Sequence, residues 1–172
     1  MSVNSYINEL KKELVRNKIN AEEGLPLELF LMTTTLVPIV NVDLIITNDK
    51  NQVLFLWRED RHNGAGWHIP GGCVRFKETI NERIHKCAMN ELGVRIKCDN
   101  QPIAVIENII DYDRNIDDQN ERAHFITLCY HCTLAEKLEY RENMKWFEEL
   151  PENLIKTQYA YRLNWEKIKK RI

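Results

Sequence analysis

A turn of free backbone geometry, followed by a helix with an acid in its apolar stripe, constrains this chain more than any other feature. Residues 70–94 read Pro-Gly-Gly-Cys-Val-Arg-Phe-Lys-Glu-Thr-Ile-Asn-Glu-Arg-Ile-His-Lys-Cys-Ala-Met-Asn-Glu-Leu-Gly-Val. Pro70-Gly71-Gly72 is a turn. From about Glu78 the pattern becomes helical, with Ile80, Ile84, Cys87 and Ala88 on one stripe. Gly93 is the expected C-cap. Glu91 falls inside the stripe, one turn after Cys87 and two after Ile84. A buried carboxylate costs several kcal/mol unless it is paired, protonated or bound to a cation. Glu91 therefore either turns to solvent or to an arginine at a frayed helix end, or it holds a metal. The Gly-Gly turn and Glu78 upstream favour the metal.

The rest of the chain sets the scale. A sequence of 172 residues is read as one domain, 1–172, long enough to bury a sizeable core. A net charge of -2 leaves no electrostatic footprint for nucleic acid. The basic tail Lys167-Ile168-Lys169-Lys170-Arg171 reads as a solvated helix end. No apolar segment is long enough to span a membrane, and Met1 to Leu14 has no apolar signal core. The five cysteines are odd in number and scattered, which predicts free thiols and a cytoplasmic location. Cys129-Tyr-His-Cys132 has zinc-like spacing, but in a strand residues three apart face opposite ways.

Patterning predicts an α+β order. Residues 1–36 form an N-terminal helical extension, with helices over Tyr6–Ile19 and Leu27–Leu36 separated by Gly24 and Pro26. A strand runs from Pro38 to Thr47, and Asn48-Asp49-Lys50-Asn51 turns the chain into Val53–Trp57. Arg58 to Gly66 is a polar loop, and Trp67–Ile69 is extended. Strands follow near Pro102–Ile110 and His124–Cys132, with an acidic loop at Asp111–Glu121 between them. Met144–Phe147 is a last strand, and Pro151 onward is helical.

The chain resembles the Nudix hydrolases and, among them, the GDP-mannose mannosyl hydrolases. The frame G-x5-E-x7-R-E-U-x-E-E-x-G-U fits Gly72, Glu78, Glu91 and Gly93, while Lys86, Cys87 and Asn90 replace its arginine and two of its acids. That subfamily lacks the same two acids. Further anchors are Thr35-Leu-Val-Pro-Ile-Val-Asn-Val-Asp43, Trp57-Arg58 and Gly66-Trp67-His-Ile-Pro-Gly-Gly72. The resemblance implies an α/β/α Nudix sandwich with a mixed β-sheet, a divalent cation (Mg²⁺ or Mn²⁺) and a nucleotide-sugar substrate. It also implies a homodimer built with the N-terminal segment.

Residue by residue, the resemblance places the cation on the Gly71 carbonyl and Glu91. It places substrate contacts on Asp43, Arg58, Lys86 and Phe125, with Arg58 gripping the pyrophosphate bidentately. Glu78 would act behind the metal ligands. The family's Gln-His pair, a ligand and a general base, falls on Tyr140 and Arg141, and arginine cannot accept a proton. The replacement base is Glu142, with His124 second. Glu136 and Glu139 are further loop acids, His62 reads as loop surface and His68 as a strand residue near the site.

One carboxylate from the box helix predicts one cation. A single cation suffices to stabilise a nucleoside diphosphate leaving group, so water attacks the anomeric carbon and sugar leaves with nucleoside diphosphate. Two alternatives stand beside this: a pyrophosphatase cleaving a P–O bond, and a catalytically weak nucleotide-sugar binding protein.

Overall fold

A computed structural model of the protein describes residues 2–61, 63–110 and 122–172. The chain begins with helices α1 (Val3–Arg16) and α2 (Leu27–Thr34), then strands β1 (Ile39–Thr47), β2 (Val53–Asp60), β3 (Gly64–His68) and β4 (Gly71–Cys73). Helix α3 (Ile80–Leu92) precedes β5 (Ile96–Cys98), β6 (Ala104–Ile109), β7 (His124–Leu134) and β8 (Met144–Phe147), and α4 (Tyr161–Lys169) closes the fold. The acidic segment Asp111–Glu121 and His62 lie outside the described residues.

The strands form one mixed sheet around β1. β1 runs parallel to β7, from Ile39 opposite Phe125 to Thr47 opposite Thr133. It pairs antiparallel with β4, where Asp43 faces Gly71, and β2 folds back on it at Thr47 and Val53. Residues 42–46 are all buried, as befits a strand covered on both faces. Strand alternation then sorts them. Val42, Leu44 and Ile46 pack in the layer holding Ile84, Ala88 and Leu92 of α3. Ile45 packs in the opposite layer with Tyr161, Trp165 and Ile168 of α4. The result is the expected α+β sandwich, with a sheet between helical layers.

Helix α3 has clear local causes. Thr79 is its N-cap, accepting from the Glu82 N–H at 3.2 Å, while Glu82 accepts from the Thr79 N–H at 2.8 Å. This reciprocal capping box satisfies two otherwise orphaned donors. Gly93 ends the helix with φ of 73°, a left-handed conformation that glycine adopts without strain.

Several expectations are corrected. Arg58 belongs to β2 rather than to a polar loop. The strand continues to Asp60 with Arg58 opposite Gly66, and Asp60 closes the turn by accepting from the backbone and side chain of Asn63. Strands β4 and β5 were not anticipated: Gly71 and Gly72, expected as a turn, pair with Asp43 and Val42 of β1. The C-terminal helix starts at Tyr161 instead of near Pro151 because the segment before it is spent on the sheet: Trp67 N–H donates to Asn153 and Ile155 N–H donates to Trp67. The five cysteines are not all free thiols. Cys98 and Cys132 are bonded, since β5 and β7 place them directly opposite each other; Cys73, Cys87 and Cys129 are free.

The N-terminal extension is helical as expected, but its two helices differ. α2 buries Leu31 and Thr34, whereas α1 buries nothing. No described helix is long and apolar enough to cross a membrane.

Candidate active site

Asp43 is the one acid in β1, and alternation turns it into the α4 layer, where it is 4 % exposed. Its Oδ2 accepts from the Tyr161 hydroxyl at 2.8 Å and from Gln158 Nε2 at 3.1 Å. Gln158 also bonds both the N–H and the carbonyl of Ile69, so it ties α4's approach to the residue before the Pro-Gly-Gly turn. Burial pushes Asp43 up; the Tyr161 hydrogen bond opposes this, nearby Glu91 reinforces it, and Arg58 and Gln158 oppose it. The net value is about 7.

Gly71 lies against this carboxylate. A Cβ there would stand 2.3 Å from the Val42 carbonyl and 2.5 Å from Asp43 Oδ1, so only glycine fits. From the other side, the Gly71 N–H donates to Glu91 Oε1 at 3.0 Å, and His68 Nε2 lies 3.1 Å from Glu91 Oε2. Arg141 donates to the Glu91 backbone carbonyl and anchors the loop before β8 to the end of α3. The two acids therefore reach one glycine from two layers. The helix dictates Glu91's place and the strand period dictates Asp43's.

Arg58 projects from β2 with its Nε 3.6 Å from Asp60. It lines a small polar pocket with Asn41, Asp43, Arg122, Phe125 and Gln158. Phe125 is 1 % exposed, so it forms an apolar wall. Four of the sequence-selected residues, Asp43, Arg58, Gly71 and Phe125, thus line one pocket, and Glu91 joins it through Gly71.

The remaining residues lie elsewhere. Lys86 is half-exposed with its Nζ 2.9 Å from Glu78, and Arg83 lies 2.6 Å from the same carboxylate. Burial raises the Glu78 pKa, but the Arg75 N–H, Lys86 and Arg83 outweigh it and hold the group at about 2. Glu78 is thus a permanent anion that pins the turn before α3 to the helix. His124 points to the opposite face from Phe125 and pairs with Glu107 at 3.2 Å. Glu142 is exposed beside the anchored Arg141, while Glu136 is paired with Arg95. Tyr140 and Glu139 face solvent.

The site can take a hard cation. Two carboxylates converge on Gly71, and the repulsion that helps raise Asp43 is what a divalent ion between them would relieve. Among the described residues no group of three or more His, Cys, Asp or Glu surrounds one point. Glu91 and the Gly71 carbonyl, with Asp43 behind, suit one ion that keeps its other positions for water and phosphate oxygens.

Gln158, Tyr161, Asn41 and Arg122 were not foreseen. Gln158 and Tyr161 lie 115 and 118 positions from Asp43. The only signal for them was an acid in an apolar strand, which had to find a partner somewhere.

The model of the NUDIX domain family matches residues 37–160. The chain belongs to the NUDIX domain family. The matched span contains β1, the Gly-Gly turn, α3 and the loop carrying Arg141. The low-salt glycan biosynthesis protein Agl8 of Haloferax volcanii is 30% identical over 98 residues, covering 57% of this Nudix chain. The chain spans 60% of that relative's length. Among solved structures, a MutT NUDIX hydrolase from Burkholderia pseudomallei is similar with a TM-score of 0.58 at 21% identity, covering 76% of this chain and 98% of that one. A UDP-X diphosphatase is similar with a TM-score of 0.57 at 16% identity, covering 98% of this chain and 81% of that one. At these identities the two structures establish the Nudix fold.

Proposed function

We propose that this Nudix protein is a metal-dependent hydrolase of a nucleoside diphosphate sugar, GDP-mannose-like, releasing sugar and nucleoside diphosphate. The observation that carries this reading is the box helix: α3 brings one carboxylate, Glu91, to Gly71 at the start of β4, while Cys87 is buried and Asn90 is exposed. The name of the Haloferax relative, a glycan biosynthesis protein, adds support for a sugar-bearing substrate.

Glu91 and the Gly71 carbonyl would hold Mg²⁺ or Mn²⁺. Such an ion neutralises the charge that develops on a diphosphate leaving group. Arg58 supplies a guanidinium for phosphate oxygens. Asp43, braced by Tyr161 and Gln158, holds the floor of the pocket, and Phe125 keeps water from that wall. Glu142 is the first choice for the proton acceptor because, among the described residues, it makes no ion pair. His124, engaged by Glu107, is the second. Lys86 would act through Glu78 by keeping the turn before α3 in place.

A homodimer and a cytoplasmic location are part of the same reading. α1 leaves Tyr6, Ile7 and Leu10 exposed, an apolar face in want of a partner. In a reducing cytoplasm Cys98 and Cys132 would stand as paired thiols.

Hydrolysis in ¹⁸O water decides the bond. A panel of nucleotide sugars with Mg²⁺ should give nucleoside diphosphate and labelled sugar. Label in a phosphate product marks the pyrophosphatase reading instead. Binding without turnover across the panel marks a nucleotide-sugar binding protein.

A further inference from the structure

A second and larger cavity opens beside the polar pocket. It encloses about 630 Å³ between the N-terminal extension and the segment after the Gly-Gly turn. Leu25, Phe30, Val37, Ile39, Val74 and Phe76 give it apolar walls. The extension is clasped over that segment: Arg75 donates to the Glu23 carbonyl, and Lys77 lies 3.4 Å from Glu22. Cys73 lines both this cavity and the polar pocket, so the two are neighbours across one residue.

The junction is arginine-rich, and its donors are not all used. Arg122 lines the polar pocket while its guanidinium sits 5.7 Å from the centre of the Phe30 ring, a wall of the cavity. Its Nε is buried without a hydrogen-bond partner among the described residues. The Arg122 N–H donates to the buried Thr34 hydroxyl of α2 at 3.0 Å. That bond helps hold a φ of 54°, a region non-glycine residues rarely adopt. Arg83 lines the cavity as well, but its guanidinium is spent on Glu78, with Nε at 2.7 Å and Nη2 at 2.6 Å from that carboxylate. Asn41 Oδ1, on the wall of the polar pocket, is a buried acceptor without a partner among the described residues.

We propose that this cavity is the nucleobase site of the protein, with Arg122 as the residue that α2 positions to bridge base and phosphate. The inference rests on the nucleotide reading above. A nucleobase has two flat apolar faces and an acceptor-bearing edge, and it hangs from a phosphate chain. Phe30 and Phe76 can receive the faces. The unpartnered Nε of Arg122 matches the edge. The adjoining pocket with Arg58 receives the phosphates. An aliphatic ligand would use the walls but leave the buried Arg122 Nε without a partner, which is costly.

Calorimetry with Mg²⁺ tests this on the full chain, using GDP, UDP and ADP as probes beside inorganic pyrophosphate. The parent should bind at least one nucleoside diphosphate more tightly than pyrophosphate. Phe30→Ala should weaken that nucleotide about 5- to 150-fold, the usual range for a lost base–aromatic contact, and leave pyrophosphate affinity unchanged. Val37→Trp should plug the cavity with the same result, and it is tolerable to the fold because Val37 is 59 % exposed. Thr34→Val should weaken nucleotide binding in parallel with Arg122→Ala. Nucleotides bound no better than pyrophosphate would overturn the assignment. So would cavity variants that leave nucleotide affinity unchanged, weaken pyrophosphate equally, or change only the oligomeric state. Selective loss of nucleotide binding without any sugar-nucleotide turnover would uphold this site while sinking the hydrolase reading.

Discussion

Asp43 stands in an apolar strand, and the strand's period alone sends it away from Val42, Leu44 and Ile46 into the layer of α4. Its environment there favours the neutral acid. Burial is the largest cause, and its pKa rises from 3.8 to about 7. A raised carboxylate contributes stability that is fully present below about pH 4 and is lost as pH rises through 7. A tenfold change in proton affinity is worth about 1.4 kcal/mol, so the span corresponds to ~4 kcal/mol. Asp43→Asn, neutral at every pH, should therefore be more stable than the parent at pH 8 by up to about that amount in the absence of divalent cation, and by less than half of it, ~1.7 kcal/mol, at pH 5. Denaturant melts at the two values check this; a difference that does not change with pH contradicts it. Glu91's place on the inward face of α3 was legible from one helical stripe, because its neighbours are three and four residues away. The brace on Asp43 was not, because Tyr161 and Gln158 are supplied by the far end of the chain.

At the scale of elements, local chemistry was readable where local chemistry decides. Thr79, Glu82 and Gly93 bound α3 within a residue or two of the pattern's expectation. Where tertiary pairing decides, the pattern misled. Arg58 and its polar neighbours extend a strand because β3 offers them a partner. Residues 153–155 leave the helical pattern because Trp67 takes their backbone groups. Cys98 and Cys132 are brought face to face only by the antiparallel register of β5 and β7. α1 is the reverse case, a helix with a readable apolar face and no buried residue. A 14-residue helix is marginal alone, so its order requires a partner surface. The full chain should be a dimer by light scattering at micromolar concentration, and removal of residues before Leu25 should yield monomer with a lower melting temperature. A monomeric full chain contradicts this.

At the scale of the molecule, the sandwich explains why the site forms where it does. The sheet separates α3 from α4, and Gly71 at the start of β4 is a place where an acid from each face reaches the same backbone. Gly71 has no side chain to keep Glu91 and Asp43 apart, the polar pocket opens beside them, and the apolar cavity adjoins it at Cys73. This arrangement was only half legible: the box helix and the strand acid could be read from short spacings, but the pairing of Gly71 with β1 could not, and neither pocket exists until the N-terminal extension and residues 153–161 close over the sheet. If Glu91 is the acid through which the box helix holds the cation used in hydrolysis, a Mg²⁺ titration of nucleotide-sugar hydrolysis by the parent and by Glu91→Gln tests it most directly. The parent should depend on Mg²⁺, and the variant should melt normally yet lose ~10²-fold or more of its rate. A variant with unchanged Mg²⁺ dependence and rate would contradict it.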